Sequence, residues 1–177
     1  MKRSDEIIKQ LTPGKVYRRE DFRAWSNSLD RHLVELTKKK VLKKLSRGMY
    51  HCIVRKTEKA QPADRELVTA FLKDTRYLLI TPELYKAAGL RLPVIHADRT
   101  VYNTKRHGER DIGGTLYRFV MKPFFPLEPD VDKAFLLVDA ADRLTKVKNR
   151  RGVEKLVKHE AQKMGREAFT KTCALYA

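Results

Sequence analysis

Ser26-Asn27-Ser28-Leu29-Asp30-Arg31-His32-Leu33-Val34-Glu35-Leu36-Thr37-Lys38-Lys39-Lys40, continued by Val41-Leu42-Lys43-Lys44-Leu45-Ser46-Arg47-Gly48-Met49-Tyr50-His51-Cys52-Ile53-Val54, changes its periodicity half-way. In the first half Leu29, Leu33 and Leu36 stand at i, i+4 and i+7, a spacing that stacks side chains on one face of a helix. At about 100° per residue the opposite face carries Asn27, Arg31, Val34, Glu35 and Lys38. In the second half Val41-Leu42 and Met49-Tyr50 read as short strands flanking Lys43 to Gly48, where Gly48 can take the positive φ of a tight hairpin turn. A helix with a cationic outer face followed by a cationic hairpin is the pattern of a winged helix-turn-helix, with Ser26 or Asn27 expected to cap the helix.

The upstream sequence supplies what such a helix packs against. Ser4 can cap a first helix with Asp5 and Glu6 in its opening turn, and Ile7, Ile8 and Leu11 share one face before Pro13-Gly14 stops it. Val16-Tyr17 is long enough only for an edge strand pairing with the later hairpin, and Arg19 to Ala24 suits a short second helix with Phe22 inward. Downstream, residues 55 to 64, with Lys56-Thr57-Glu58-Lys59 and Gln61-Pro62-Ala63, lose periodicity and read as a linker. The expected domains are therefore residues 1–58, a winged helix, and 65–177, a small mixed α/β domain ending in helices; the fold class is α+β.

In the second domain Leu67, Val68, Phe71 and Leu72 mark an amphipathic helix, and Tyr77 to Ile80 a buried strand. Thr81-Pro82 opens a helix that Gly89 closes. Val94 to His96, Val101 to Asn103 and Leu116 to Met121 are strand candidates, the last two bracketing a polar turn from Lys105 to Gly114. Beyond Pro123-Phe124-Phe125-Pro126 the spacing of Val131, Ala134, Phe135, Val138 and then Val153, Leu156, Val157, Met164 predicts two or three helices.

Charge is unevenly distributed along the 177 residues, whose formal net charge is +17. Residues 1–60 hold 17 Lys/Arg against 7 Asp/Glu, residues 61–142 hold 12 against 12, and residues 143–177 hold 10 against 3. A basic field confined to part of a chain attracts a polyanion, and nucleic acid is the commonest one. No apolar run reaches the roughly 20 residues that span a bilayer, and the N-terminus has no signal-peptide core, so a soluble, cytoplasmic protein without membrane contact is expected. Cys52 and Cys173 are far apart in sequence and read as structural thiols.

Signs of catalysis are weak. Glu128-Pro129-Asp130-Val131-Asp132-Lys133 resembles the acidic and lysine elements of metal-dependent nucleases, but acids and Pro are also what the positive end of a helix prefers. None of His32, His51, His96, His107 and His159 has a second His or Cys at helical ligand spacing, and there is no phosphate-cradling glycine loop. No catalytic residue, metal or cofactor is assigned.

Nucleic-acid contacts are instead assigned to Asn27, Ser28, Arg31, Val34, Lys38 and Lys39 on the helix and to Lys43, Lys44 and Arg47 in the wing. Arg and Lys can reach phosphates or guanine, Asn can read adenine, and Val can meet a thymine methyl. Cations at the end of a helix are also favoured by its dipole, but the dipole does not account for those in the wing. A second basic surface is expected on Lys146, Lys148, Arg150, Arg151, Lys155 and Lys158.

The order helix, strand, helix, basic helix, with Arg47-Gly48-Met49-Tyr50 in the wing, resembles the N-terminal winged helix of the AbiE-type antitoxins, from type IV toxin-antitoxin systems of abortive infection. Tyr77 to Leu90, Val101-Tyr102-Asn103-Thr104 and Leu116 to Pro123 are similar to the strand, helix, Gly-Leu turn and following hairpin of that family's second domain. The resemblance implies a repressor that binds operator repeats in its own promoter, with a cognate toxin as a possible partner; because one wing and one helix make few contacts, two copies on an inverted repeat, or extra phosphate contacts from the basic C-terminal helices, are expected, with no cofactor. Two other readings stay open: a nucleic-acid-processing enzyme docked by its winged helix, and a protein-interaction adaptor.

Overall fold

A computed structural model describes residues 3–53, 61–90, 99–128, 130–144 and 150–176. The chain is α+β, as expected, and forms two compact units: residues 1–75 with 111–115, and residues 76–110 with 116–177.

The first unit runs α1 (Arg3–Gln10), β1 (Val16–Arg18), a 3-10 helix (Arg19–Ala24), α2 (Leu29–Lys38), β2 (Leu42–Ser46), β3 (Met49–Cys52) and α3 (Asp64–Leu72). Its three strands are ordered β1-β3-β2, with both pairings antiparallel, so β1 joins the hairpin as an edge strand. This layout is compatible with a winged helix-turn-helix. Ile7 of α1 and Leu11 just past it, Phe22 of the 3-10 helix, Leu33 and Leu36 of α2, and Tyr17, Leu42 and Cys52 of the sheet make one core.

The start of α2 departs from the expectation of a cap at Ser26 or Asn27. Ser28 is the residue that precedes the helix, while Ser26 is buried with its hydroxyl 2.6 Å from His32 Nδ1. The buried imidazole thus takes the side chain that the sequence marks as a cap. At the other end the Val41 amide donates to the Leu36 carbonyl and the Lys40 amide to Thr37, both at 3.0 Å, closing the helix in a Schellman turn. That turn puts its next-to-last residue in the left-handed region, and here the residue is Lys40, at φ 57°.

Strand β2 is longer than expected, which shortens the turn of the wing to Arg47-Gly48, with Gly48 at φ 73°. The register slips between Lys44 and Ser46, a bulge that twists the hairpin. The domain boundary also moves. Helix α3, expected in the second domain, belongs to the first: the Val16 amide donates to Glu66 Oε1 and Arg18 Nη1 to the Ala70 carbonyl, each at 2.7 Å. Lys73 Nζ pairs with Glu20 at 2.8 Å. Of the outward amides of this edge strand, α3 supplies the partner of Val16, and Asp21 that of Arg18 at 2.7 Å. Residues 54–60 of the expected linker lie outside the described residues.

The second unit holds β4 (Tyr77–Ile80), α4 (Pro82–Ala87), β5 (Arg99–Asn103), β6 (Gly108–Ile112) and β7 (Thr115–Met121) except for their joining tip Asp111–Thr115, and α5 (Lys133–Leu144), α6 (Arg150–Met164) and α7 (Arg166–Tyr176). The sheet order is β4-β5-β7-β6. Two expectations are corrected here. The stretch read as a polar turn contains β6, a sheet-edge strand whose charged Glu109, Arg110 and Asp111 are exposed and whose Ile112 is buried. β5 and β7, read as a hairpin, are parallel neighbours; the tight connection is Gly113-Gly114 between β6 and β7. The strand expected at Val94 to His96 lies outside the described residues.

Leu78, Ile80, Tyr102 and Val120 face α4 and α5, where Tyr85, Leu90, Phe135, Leu136, Leu137 and Ala140 complete the core and Val157 of α6 joins it. Buried within this layer, Asp139 accepts from the hydroxyls of Tyr85 and Tyr102, the latter at 2.6 Å. The Glu128–Lys133 cluster opens α5. Asp132 accepts from the Phe135 amide at 2.7 Å in the manner of a cap, and Lys133 pairs with Glu160.

Two stability outcomes are expected. Lys40→Gly should raise the free energy of unfolding by about 0.5–1 kcal/mol, because relief of the left-handed strain outweighs the added freedom of the unfolded chain. Asp139→Ala should cost about 2–4 kcal/mol through the loss of both tyrosine hydrogen bonds and of volume in the core. Urea unfolding followed by circular dichroism measures both.

Candidate nucleic-acid interface

Burial of Leu33 and Leu36 fixes the rotation of α2, and what remains outward is Arg31, Val34 and Lys38, all exposed. Val34, 55% exposed, is the apolar centre of a stripe with a cation on either side. At the start of the helix Asn27 and Ser28 are also exposed, and the Ser28 side chain makes no capping bond among the described residues. The first amides of α2 are thus not occupied by their own N-cap side chain, a usual seat for phosphate.

Lys39 is placed differently from its neighbours. Its ammonium lies 2.9 Å from Glu35, 3.6 Å from Asp5 and 3.1 Å from Ser4 Oγ. The bond to Glu35 holds the Lys39 pKa above its ordinary value and that of Glu35 below its own. Lys39 therefore fastens α1 to the end of α2, and its neighbour Lys40 carries an exposed cation at the turn that follows.

In the wing, Arg47 occupies the exposed turn. Lys43 stands opposite His51, and Lys44 opposite Tyr50. The pleat sends these two lysines to opposite faces of the sheet. Lys44 shares its face with Tyr50, which packs on Phe22 and the helical core, whereas Lys43 shares its face with His51. So Lys44 lies on the sheet face turned to the helical core and Lys43 on the other.

Sequence reasoning missed Arg19 and Tyr50. The Arg19 guanidinium binds both oxygens of Asp30, in the first turn of α2, at 2.8 Å each. This pairing draws the Asp30 carboxyl below its usual pKa range. The half-buried Tyr50 phenol is pushed up, first by burial and then by the charge of Asp30, which places all three groups together. Their spacing in sequence follows no local rule, so no pattern in the chain announces the pairing.

On the second basic surface, Arg151, Lys155 and Lys158 are exposed along α6, with Lys158 paired to Glu154 at 3.0 Å. Lys146 and Lys148 lie outside the described residues, as does the side chain of Arg150. Among the described residues no group of three or more His, Cys, Asp or Glu side chains converges as a metal site, and no helix is long and apolar enough to cross a membrane.

No protein-family model matches the chain, and no curated protein matches it as a relative.

His51 gives the wing a pH dependence. Burial lowers its pKa, Glu66 and the Gly14 backbone partly oppose the shift, and Nε2 is buried with no hydrogen-bond partner among the described residues. A base with a depressed folded pKa binds fewer protons folded than unfolded. Stability is therefore full above the unfolded value of about 6.5 and falls as pH drops below it. The denaturation midpoint should decrease between about pH 7 and pH 5, and His51→Gln should flatten that decrease.

Proposed function

We propose that this protein is a sequence-specific double-stranded DNA-binding transcriptional repressor. The observation that carries the reading is the exposed stripe of Arg31, Val34 and Lys38 on α2, together with the exposed wing cations Lys44 and Arg47, within the part of the chain that holds 17 Lys/Arg against 7 Asp/Glu. A helix of this form enters a major groove with its outward face to the bases while the hairpin meets the backbone. Arg31 and Asn27 are suited to base edges, Val34 to a thymine methyl, and Lys38, Lys44 and Arg47 to phosphates.

One helix and one wing make few contacts, so two copies on an inverted repeat are part of the proposal. The resemblance to AbiE-type antitoxins extends it to a cytoplasmic autorepressor of its own operon, in which the second unit engages a cognate toxin. The exposed cations of α6 supply further phosphate contacts or meet an acidic partner.

Selection from a pool of random duplexes tests the reading. A discrete binding site should emerge, and affinity for it should fall by about 10³ or more between 50 and 200 mM salt if six to eight phosphates are neutralised. An Arg31→Glu, Lys38→Glu variant should keep its circular dichroism spectrum and lose binding by at least about tenfold. Salt-insensitive binding, or full binding by the reversed variant, overturns the proposal.

A further inference from the structure

Arg19 touches both halves of the interface. Its amide donates to the Gly48 carbonyl in the wing turn at 2.9 Å, and its guanidinium grips Asp30 in the first turn of α2 with Nε on Oδ1 and Nη2 on Oδ2 at 2.8 Å. A single residue at the start of the 3-10 helix therefore bridges the turn of the hairpin and the beginning of the helix. The guanidinium and carboxyl are 44% and 75% exposed, a setting in which ion pairs add little to folding. What a two-pronged Arg–carboxylate pair does supply is direction, because the planar fork fixes an angle as well as a distance.

The position of Asp30 sharpens the point. It sits between Ser28 and Arg31 beside the cationic stripe, where a bare carboxylate would repel phosphate. Bound to Arg19, it is neutralised in place.

We propose that Arg19 and Asp30 form a strut that sets the separation and angle between α2 and the wing, so that the helix reaches base edges while the wing reaches the backbone of the same duplex. Arg19 is here a positioning residue and not a DNA ligand. The inference rests on the duplex-binding reading above.

The probe is the tightest duplex that the wild-type chain selects from a randomised pool, with an unselected duplex of equal length as control. Arg19→Lys, Asp30→Asn and the double variant are compared with wild type by affinity, salt slope and thermal midpoint. Each single change should weaken binding to the selected duplex by about tenfold, and the double variant should bind no more weakly than the worse single. Binding to the control duplex and the salt slope should stay close to wild type, and the thermal midpoint should move by no more than a few degrees. Lysine keeps the charge but cannot make the fork, so wild-type affinity in Arg19→Lys overturns the strut. Tighter binding by Asp30→Asn also overturns it, since that is the signature of an Arg19 freed to contact phosphate. Failure of the parent reading looks different: the wild-type chain then selects no duplex, and the strut falls with it.

Discussion

Phe22 sits where three segments of the first unit have to meet. Its ring centroid lies 5.7 Å from those of Tyr17 on β1 and Trp25 on the approach to α2, and 6.2 Å from that of Tyr50 on β3. Each aromatic pair contributes about 0.5–1.5 kcal/mol beyond the area it buries. More important is what the pairs connect: the 3-10 helix, the lead into α2 and the wing share one set of ring contacts, so moving any of them disturbs the others. Tyr50 of the wing and Trp25 ahead of α2 thus pack on the same ring.

Three consecutive lysines at the end of α2 show how little charge alone specifies. Lys38 faces out with Arg31 and Val34, Lys39 ties α2 to α1 through Glu35 and Asp5, and Lys40 closes the helix in a left-handed conformation. The helix dipole favours cations at all three positions. Their separate roles follow from rotation about the helix axis and from the carboxylates within reach, and only the rotation is written in the local pattern.

Much of the architecture was legible in the sequence because it obeys short-range rules. The i, i+4, i+7 leucines oriented α2, Pro13-Gly14 ended α1, Thr81-Pro82 opened α4, and the outward side chains of Arg31, Val34, Lys38 and Arg47 followed from period and turn. What escaped depends on partners distant in the chain. Ser26 carries the signal of a cap but was drawn to His32. Strand β6 is almost wholly polar and becomes a strand only by lying against β7. The parallel pairing of β5 with β7 has no local signature, and neither has the grip of Arg19 on Asp30. Lys43 and Lys44 looked equivalent until the register of the hairpin assigned them to opposite faces.

The attachment of α3 to β1 also bears on how the protein can be divided. The Val16 amide donates to Glu66 and the Arg18 guanidinium to the Ala70 carbonyl, so a fragment ending near residue 58 would bare a short sheet edge at the Val16 amide, where another strand can add. Its self-association would then reflect the cut rather than any natural dimer. A fragment carried through Thr75 retains the helix on that edge but not Asp111–Thr115, which belong to the same unit and whose Gly113 amide donates to the Leu45 carbonyl at 3.0 Å.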